Sequence, residues 1–328
     1  CLAAGIGPGD EVITTPITFA ASANAILYCG GKPVFADIDP HTYMIDPVSI
    51  EECITERTKA VIAVDFTGAP CDYDSIQAIC QKYNLLLIED AAHSIGTKHR
   101  GIPVGSIADL TTFSFHPVKT ITAGEGGAVL TKDSTLAKRV ELFAKHGITR
   151  DSELLRNQGN SNWYYEQQLL GYNYRMTDIQ CALALSQLNK LERFSTRRKE
   201  LVRRYDEAFG EIPEVMIQTE VEGSDTVRHL YILRLDFNRL NCGRKEFYDA
   251  MQAENIGVNV HYIPVYWFPY YQSLGYQKGL CPNAEVYYES SITLPLFYSM
   301  TDQDQDDVIQ AVNKLVRYFR KQMEAKYV

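Results

Sequence analysis

Lys119 is the side chain with the most chemical promise in this chain of 328 residues. It follows Thr112, Phe113 and Phe115, a β-prone run that stops at His116-Pro117, because proline cannot continue a hydrogen-bonded ladder. Four glycine-rich positions, Gly124 to Gly127 with Glu125 among them, come next. A lysine delivered past a buried strand end, rather than onto a solvated helix face, is a candidate for covalent chemistry with a carbonyl compound. A surface lysine in a loop is the plainer alternative. Asp90 and His93 follow the fully apolar run Leu85-Leu86-Leu87-Ile88, and Ser114 closes the run before Lys119. An aspartate there could equally cap the next helix, and a single histidine more often has a structural role.

The elements that must place these groups are legible in the hydrophobic periodicity. Short runs at Glu11 to Thr14, Pro33 to Asp37, Ala60 to Asp65, Leu85 to Ile88, Thr111 to Phe115 and Ala128 to Thr131 read as strands. Helical patterns separate them, such as Asp72 to Tyr83, where Ile76, Ile79, Cys80 and Tyr83 recur at helical spacing. Strands alternating with helices predict an α/β domain with a mostly parallel sheet, whose chemistry belongs at the carboxyl ends of the strands. Ser134 to His146 reads as an amphipathic helix and Ile148 to Gln168 as a surface excursion or subunit contact. Thr177 and Gln180 open a long helix, with Ile179, Leu183, Leu188 and Leu191 on one stripe, which connects two domains. The expected division is 1–200, a large domain ending in that helix, and 201–328, a smaller α+β domain. In the second part we expect strands at His229 to Leu235 and Val258 to Tyr262, a helix at Arg244 to Glu254, an aromatic loop at Tyr266 to Tyr271 and a last helix after Thr301.

Composition narrows the function classes. A net charge of -9 and a pI near 5.3 argue against a surface for nucleic acid or acidic membrane. There is no apolar run near the roughly 20 residues of a membrane helix, so a cytoplasmic protein is expected. Eight cysteines without a C-x-x-C pair fit reduced core thiols, with Cys29, Cys80 and Cys181 inside apolar helical patterns, and no metal site. Gly124 to Gly127 is not a phosphate loop of the Walker type, since no G-x-x-x-x-G-K-[ST] occurs. Cys1 to Gly5 reads as the last turn of a helix, so the N-terminus is expected to be truncated.

Asp90, Ser114 and Lys119 at successive strand ends suggest one cofactor. Pyridoxal 5'-phosphate needs a lysine for covalent attachment, a carboxylate for its ring nitrogen, and hydroxyls or amides for its phosphate. Phe19, after Thr14-Thr15-Pro16, is the candidate for the ring face, with a plain core phenylalanine as the alternative.

Long motifs then carry a resemblance. PITFAASANAI (16–26), IEDAAHSIGT (88–97), FSFHPVKTITAGEGGAVLT (113–131), GYNYRMTDIQCALALSQL (171–188) and VHYIPVYWFPYYQSLGY (260–276) resemble the DegT-like sugar aminotransferases of pyridoxal-phosphate fold type I. The likeness covers nearly the whole chain. It is strongest, through VDFTGAPCD (64–72), HGITRD (146–151), WYYEQQLLGYNYR (163–175) and GVNVHYIPV (257–265), to the branch that aminates UDP-4-keto-6-deoxy-N-acetylhexosamines in pseudaminic acid biosynthesis.

That resemblance implies Lys119 as the covalent lysine, Asp90 on the pyridine nitrogen, His93 beside the ring, Phe19 over its face and Ser114 on the phosphate. It further implies a homodimer in which Asn173 and Arg175 act across the interface, His261 and Tyr262 on the nucleotide-sugar side, and L-glutamate, leaving as 2-oxoglutarate, as amino donor. The family also carries a segment resembling S-G-T-A-A-L upstream of position 1, whose helix N-terminus serves the phosphate. Other DegT-like aminotransferases of 4-keto or 3-keto nucleotide sugars, related sugar dehydratases and a non-catalytic nucleotide-sugar binder are the alternatives. The dehydratases resemble this chain but carry histidine at the Lys119 position.

Overall fold

The computed structural model describes residues 1–157 and 161–321. In chain order the first part runs β1 (Glu11–Thr14), α1 (Ala21–Tyr28), β2 (Lys32–Phe35), α2 (Pro47–Glu52), β3 (Thr58–Val64), α3 (Tyr73–Tyr83), β4 (Leu86–Asp90), the small hairpin β5 (Lys98–His99) and β6 (Ile102–Pro103), β7 (Leu110–Ser114), β8 (Gly127–Leu130) and α4 (Ser134–Ala144). A second hairpin, β9 (Ile148–Thr149) and β10 (Glu166–Gln167), precedes α5 (Asp178–Leu188) and α6 (Leu191–Phe209). Then come β11 (Val215–Ile217), β12 (Ser224–Asp225), β13 (Tyr231–Leu235), α7 (Arg244–Ala253), α8 (Pro269–Ser273), α9 (Pro282–Ser290), β14 (Ser291–Leu294) and α10 (Asp302–Phe319).

The main sheet has the order β2-β1-β3-β4-β7-β8, parallel throughout except for β8, which pairs antiparallel with β7. Its central strands are largely apolar on both faces, as a sheet covered on two sides requires, with the buried Glu89 of β4 accepting from the Thr111 hydroxyl. One face packs Val12, Ala60, Ile62, Ile88 and Leu110 against Ile26 of α1 and Leu136 and Val140 of α4. The opposite face buries Ile13, Val61, Ala63 and Leu87 against α3. Local signals set the connecting helices: Asp72 caps α3 through the Ser75 amide at 3.2 Å, and Asn84 ends it in a left-handed turn.

The structure departs from the sequence expectations at several points. The long helix after Thr177 is two helices, broken at Asn189-Lys190, and only the second faces a core, burying Leu201, Tyr205 and Phe209. Ile179, Leu183, Leu188 and Cys181 stay exposed, so Cys181 is not a core thiol. All eight cysteines are free. Val258 to Tyr262 is no strand. It is an extended segment tied to β14 by reciprocal Asn259–Thr293 backbone bonds of 3.1 and 2.7 Å. Tyr266 to Tyr271 is no free loop either. Tyr266, Tyr271 and Tyr287 are fully buried in the same core as β1 and β3, which covers the second face of the main sheet with late sequence. Periodicity could not reveal this, because short aromatic runs have no helical or strand period to read.

A second core joins α6, α7 and α10 to the antiparallel sheet β11-β13-β14. The turn at Phe66-Thr67-Gly68 links the cores. Thr67 has φ +62°, and its carbonyl accepts from the amides of His229 at 2.6 Å and Leu230 at 3.2 Å. A Cβ on Gly68 would stand 2.3 Å from the Val227 carbonyl, so only glycine allows this approach.

Candidate active site

A cavity of about 640 Å³ opens at the carboxyl ends of β1, β3, β4 and β7, lined among others by Phe19, Val64, Asp90, His93, Ser114 and Lys119. That is within the ~300–1,000 Å³ usual for small-molecule sites, and lies where an open α/β sheet places its ligands.

The Lys119 loop is tied at its base. The Phe115 amide donates to the Gly126 carbonyl and the Ala123 amide to the Phe115 carbonyl, both at 2.9 Å, while the Lys119 amide closes a turn onto the His116 carbonyl at 3.0 Å. A Cβ at Gly127 would meet the Phe113 carbonyl at 2.7 Å, so glycine is needed where β8 starts beside β7. Burial lowers the Lys119 pKa, and the Asp90 carboxylate opposes that shift.

Asp90 ends β4. Its Oδ2 accepts from the Ser22 hydroxyl at 2.6 Å and its Oδ1 from the Ala92 amide at 3.2 Å, while its carbonyl accepts from the Asp65 amide. Each carboxylate oxygen therefore keeps an acceptor position, and Asp90 is not simply a helix cap. His93 is buried, with its Nδ1 unpartnered and its Nε2 3.5 Å from the Tyr262 hydroxyl. Its pKa lies well below the ordinary value, through burial first and then His229, Lys119 and His261. Burial, with Lys119 nearby, also takes His261 down to about 4. These imidazoles are neutral at pH 7, so the cavity offers neutral rings around one amine.

Phe19 is 66% exposed at the cavity rim, its ring 6.3 Å from that of Tyr262, and is not a core residue. Ser114 Oγ accepts weakly from the His116 amide at 3.4 Å and faces the cavity. His261 and Tyr262 line it as well, placed by the Asn259–Thr293 pair and by the Val265 amide on the Pro16 carbonyl at 3.0 Å.

Asn173 and Arg175 lie elsewhere. Both are exposed, Arg175 donates to Asn173 Oδ1 at 3.2 and 3.3 Å, and Arg175 borders a separate cavity of about 620 Å³ beside Lys145, His146 and Arg150. Sequence reading passed over Ser22, Thr18 and His229. The first two sit in the motif that supplied Phe19, and small hydroxyls in a helix start are too common to stand out. His229 reaches the back of His93, ring centroids 4.6 Å apart, only through the Thr67 turn.

The residues fit pyridoxal phosphate: a half-buried lysine with lowered pKa, a carboxylate with spare acceptor positions and an unpartnered imidazole nitrogen border one cavity of suitable size. Fold and site together define a pyridoxal-phosphate-dependent enzyme of fold type I. The chain belongs to the DegT/DnrJ/EryC1/StrS aminotransferase family, whose model matches residues 1–313, and it is a sugar aminotransferase. It is 44% identical over 317 residues to the spore coat polysaccharide biosynthesis protein SpsC of Bacillus subtilis, an alignment covering 96% of this chain and 81% of that protein. Among solved structures it is similar to Helicobacter pylori PseC, an aminotransferase involved in the biosynthesis of pseudoaminic acid, at 33% identity and TM-score 0.87, covering 95% of this chain and 81% of that one. The Streptococcus pneumoniae protein Spr1654, described as a sugar aminotransferase and solved in its PMP form, matches at 32% identity and TM-score 0.88, with 97% and 84% covered. Among the described residues no helix is long and apolar enough to cross a membrane, and no cluster of three or more His, Cys, Asp or Glu could hold a metal.

Proposed function

We propose that the protein moves an amino group from L-glutamate to C4 of a UDP-4-keto-6-deoxy-N-acetylhexosamine, as a step of pseudaminic acid biosynthesis. The observation that carries this reading is the meeting of Lys119, Asp90 and His93 at one cavity, within a chain similar to PseC over 95% of its length.

Bound pyridoxal phosphate supplies an electron sink for the negative charge that develops when a C–H bond beside nitrogen breaks. Lys119 holds the cofactor until the donor arrives, and its Nζ then takes the proton from the donor Cα and later delivers one to the sugar C4. Asp90 keeps the ring nitrogen protonated by accepting its hydrogen bond. His93, neutral and buried, lies beside the ring, Phe19 covers a face and Ser114 binds a phosphate oxygen. Glutamate leaves as 2-oxoglutarate and C4 gains the amine.

The working unit in this reading is a homodimer. Asn173 of the partner subunit reaches the phosphate, and Arg175 of the partner subunit receives an anionic group of the substrate. His261 and Tyr262 line the sugar side. The exposed apolar surface of α5 supports a dimer, since a monomer rarely leaves such a stripe in water. A division of the chain at residue 200 accompanies this reading.

The 44% identity to a spore coat polysaccharide protein favours a second reading, in which the substrate is another keto sugar of a surface polysaccharide. Mass spectrometry of products from a panel of UDP-4-keto sugars with glutamate decides between them. The first reading requires amination of the 2-acetamido-6-deoxy substrate, and preferential amination of a sugar without the C2 acetamido group supports the second. Amination of none, without release of 2-oxoglutarate, overturns both.

A further inference from the structure

Two buried hydroxyls, Thr18 and Ser22, stand beside the site with no part in the chemistry above. Ser22 is in the first turn of α1, but that helix starts behind Ala20 without a side-chain cap, so the Ser22 hydroxyl is not used to close the helix end. It donates to Asp90 Oδ2 at 2.6 Å, shorter than its alternative contact with the Phe19 carbonyl at 3.4 Å. A serine hydroxyl has one proton and a carboxylate only accepts, so the Thr18 hydroxyl, 2.8 Å away, is the donor to Ser22. The result is a directed chain from Thr18 through Ser22 to Asp90.

The torsion that turns an aspartate carboxylate is soft and broad. Asp90's own loop supplies one restraint, the 3.2 Å bond from the Ala92 amide to Oδ1. The shorter and charge-assisted restraint comes from a different element, α1, across a separation of 68 residues. From this juxtaposition we infer that Ser22 is a positioning residue, which fixes the plane of the Asp90 carboxylate so that its free acceptor positions face the cavity, with Thr18 holding the Ser22 hydroxyl in its donating direction. This rests on the reading of Asp90 as partner of the cofactor's ring nitrogen. Ser22 and Thr18 line the cavity too, and in this inference Ser22 acts through Asp90.

The test is equilibrium titration of the apoprotein with pyridoxal phosphate, followed by absorbance. Ser22→Ala should weaken binding about tenfold, the scale of one lost hydrogen bond to a charged group. Ser22→Thr keeps the hydroxyl and should stay within about threefold of the parent, while Thr18→Val, nearly isosteric, should lose about twofold to threefold in the same direction. In an Asp90→Ala background Ser22→Ala should add nothing, because its only route is gone. A general packing defect would instead add its full effect in that background, and would also lower the apoprotein Tm. Parental affinity in Ser22→Ala, or additivity with Asp90→Ala, overturns the inference. Parental affinity in Asp90→Ala itself overturns the reading of Asp90 on which it rests. Should Ser22→Ala fail to fold, Thr18→Val carries the same comparison, and no change in its affinity counts against the chain.

Discussion

The Lys119 cavity and the stretch from the β9–β10 hairpin through α5 are opposites in construction. Around Lys119, strand ends converge, the polar groups are partly or fully buried, and almost every one has an assigned neighbour: Asp90 with Ser22 and Ala92, His93 with Tyr262 and His229, His261 with Thr293. In the second region large apolar side chains face water among the described residues. Ile179 is 83% exposed, Leu185 62% and Trp163 71%, and no residue of α5 is buried. The same chain thus pairs the polar groups around this cavity internally and leaves an apolar surface uncovered on α5. Apolar area of that kind costs about 25 cal/mol per Å² while it stays wet, and in the proposed homodimer a second copy would cover it.

The contrast can be broken at its strongest point first. Lys119→Ala should lower transamination by at least about a thousandfold, since it removes both the covalent anchor and the proton carrier, and should abolish the visible absorbance of the purified enzyme. Retention of both would remove Lys119 from the chemistry. Asp90→Asn should bind the cofactor yet lose turnover by about a hundredfold or more in single-turnover assays with glutamate, as the sink weakens. Unchanged turnover would make Asp90 a structural residue.

Subunit mixing probes the other side of the comparison. If Asn173 works across the interface, Lys119→Ala and Asn173→Ala proteins, each inactive alone, should regain about a quarter of parental activity when refolded together, because only mixed dimers contain an intact site. No recovery would place Asn173 in its own subunit's site, and an Asn173→Ala protein active by itself would place it outside any site. Leu185→Asp, on the exposed face of α5, should shift sedimentation from dimer to monomer with little change in the monomer's own stability, within about 0.5 kcal/mol as for surface substitutions. A dimer that survives this change would move the interface elsewhere.

The smallest effect is in the pH dependence of the apoprotein. The folded-state pKa values of His93, His229 and His261 all lie below the unfolded value near 6.5, that of His261 at about 4. Between those values the unfolded chain binds protons that the folded one does not, so stability is full above pH 6.5 and falls on acidification. The Tm measured from pH 7 to pH 5 should drop by several degrees, and His261→Gln should flatten part of that slope. A Tm independent of pH in this window would mean that these rings are hydrated.

Much of this was written in local pattern. The apolar strand before Asp90, the proline stop before Lys119, the caps of α3 and α5 and the helical period of α10 depend on neighbours within a few residues, and the expected elements match the observed ones to within a residue or two at most ends. Long motifs carried the family and with it the cofactor. Pattern failed where the partner is remote. The aromatic segment Tyr266 to Tyr271 looked like a loop because its order comes from packing on β1 and β3 more than 200 residues earlier. The stripe of α5 read as part of one long helix connecting two domains, because periodicity records only that a face is apolar, not what covers it.

The sequence by itself determined the order of strands and helices, the candidate side chains at the strand ends and the acidic, cysteine-reduced character of the chain, because these follow from residue type and short-range spacing. Only the tertiary structure decided that Ser22 donates to Asp90, that His229 backs His93 and that Phe19 stands at a rim instead of in a core. Each of these is a contact between elements distant in sequence, or its absence, and such relations are set by how packed faces meet, which no single stretch encodes.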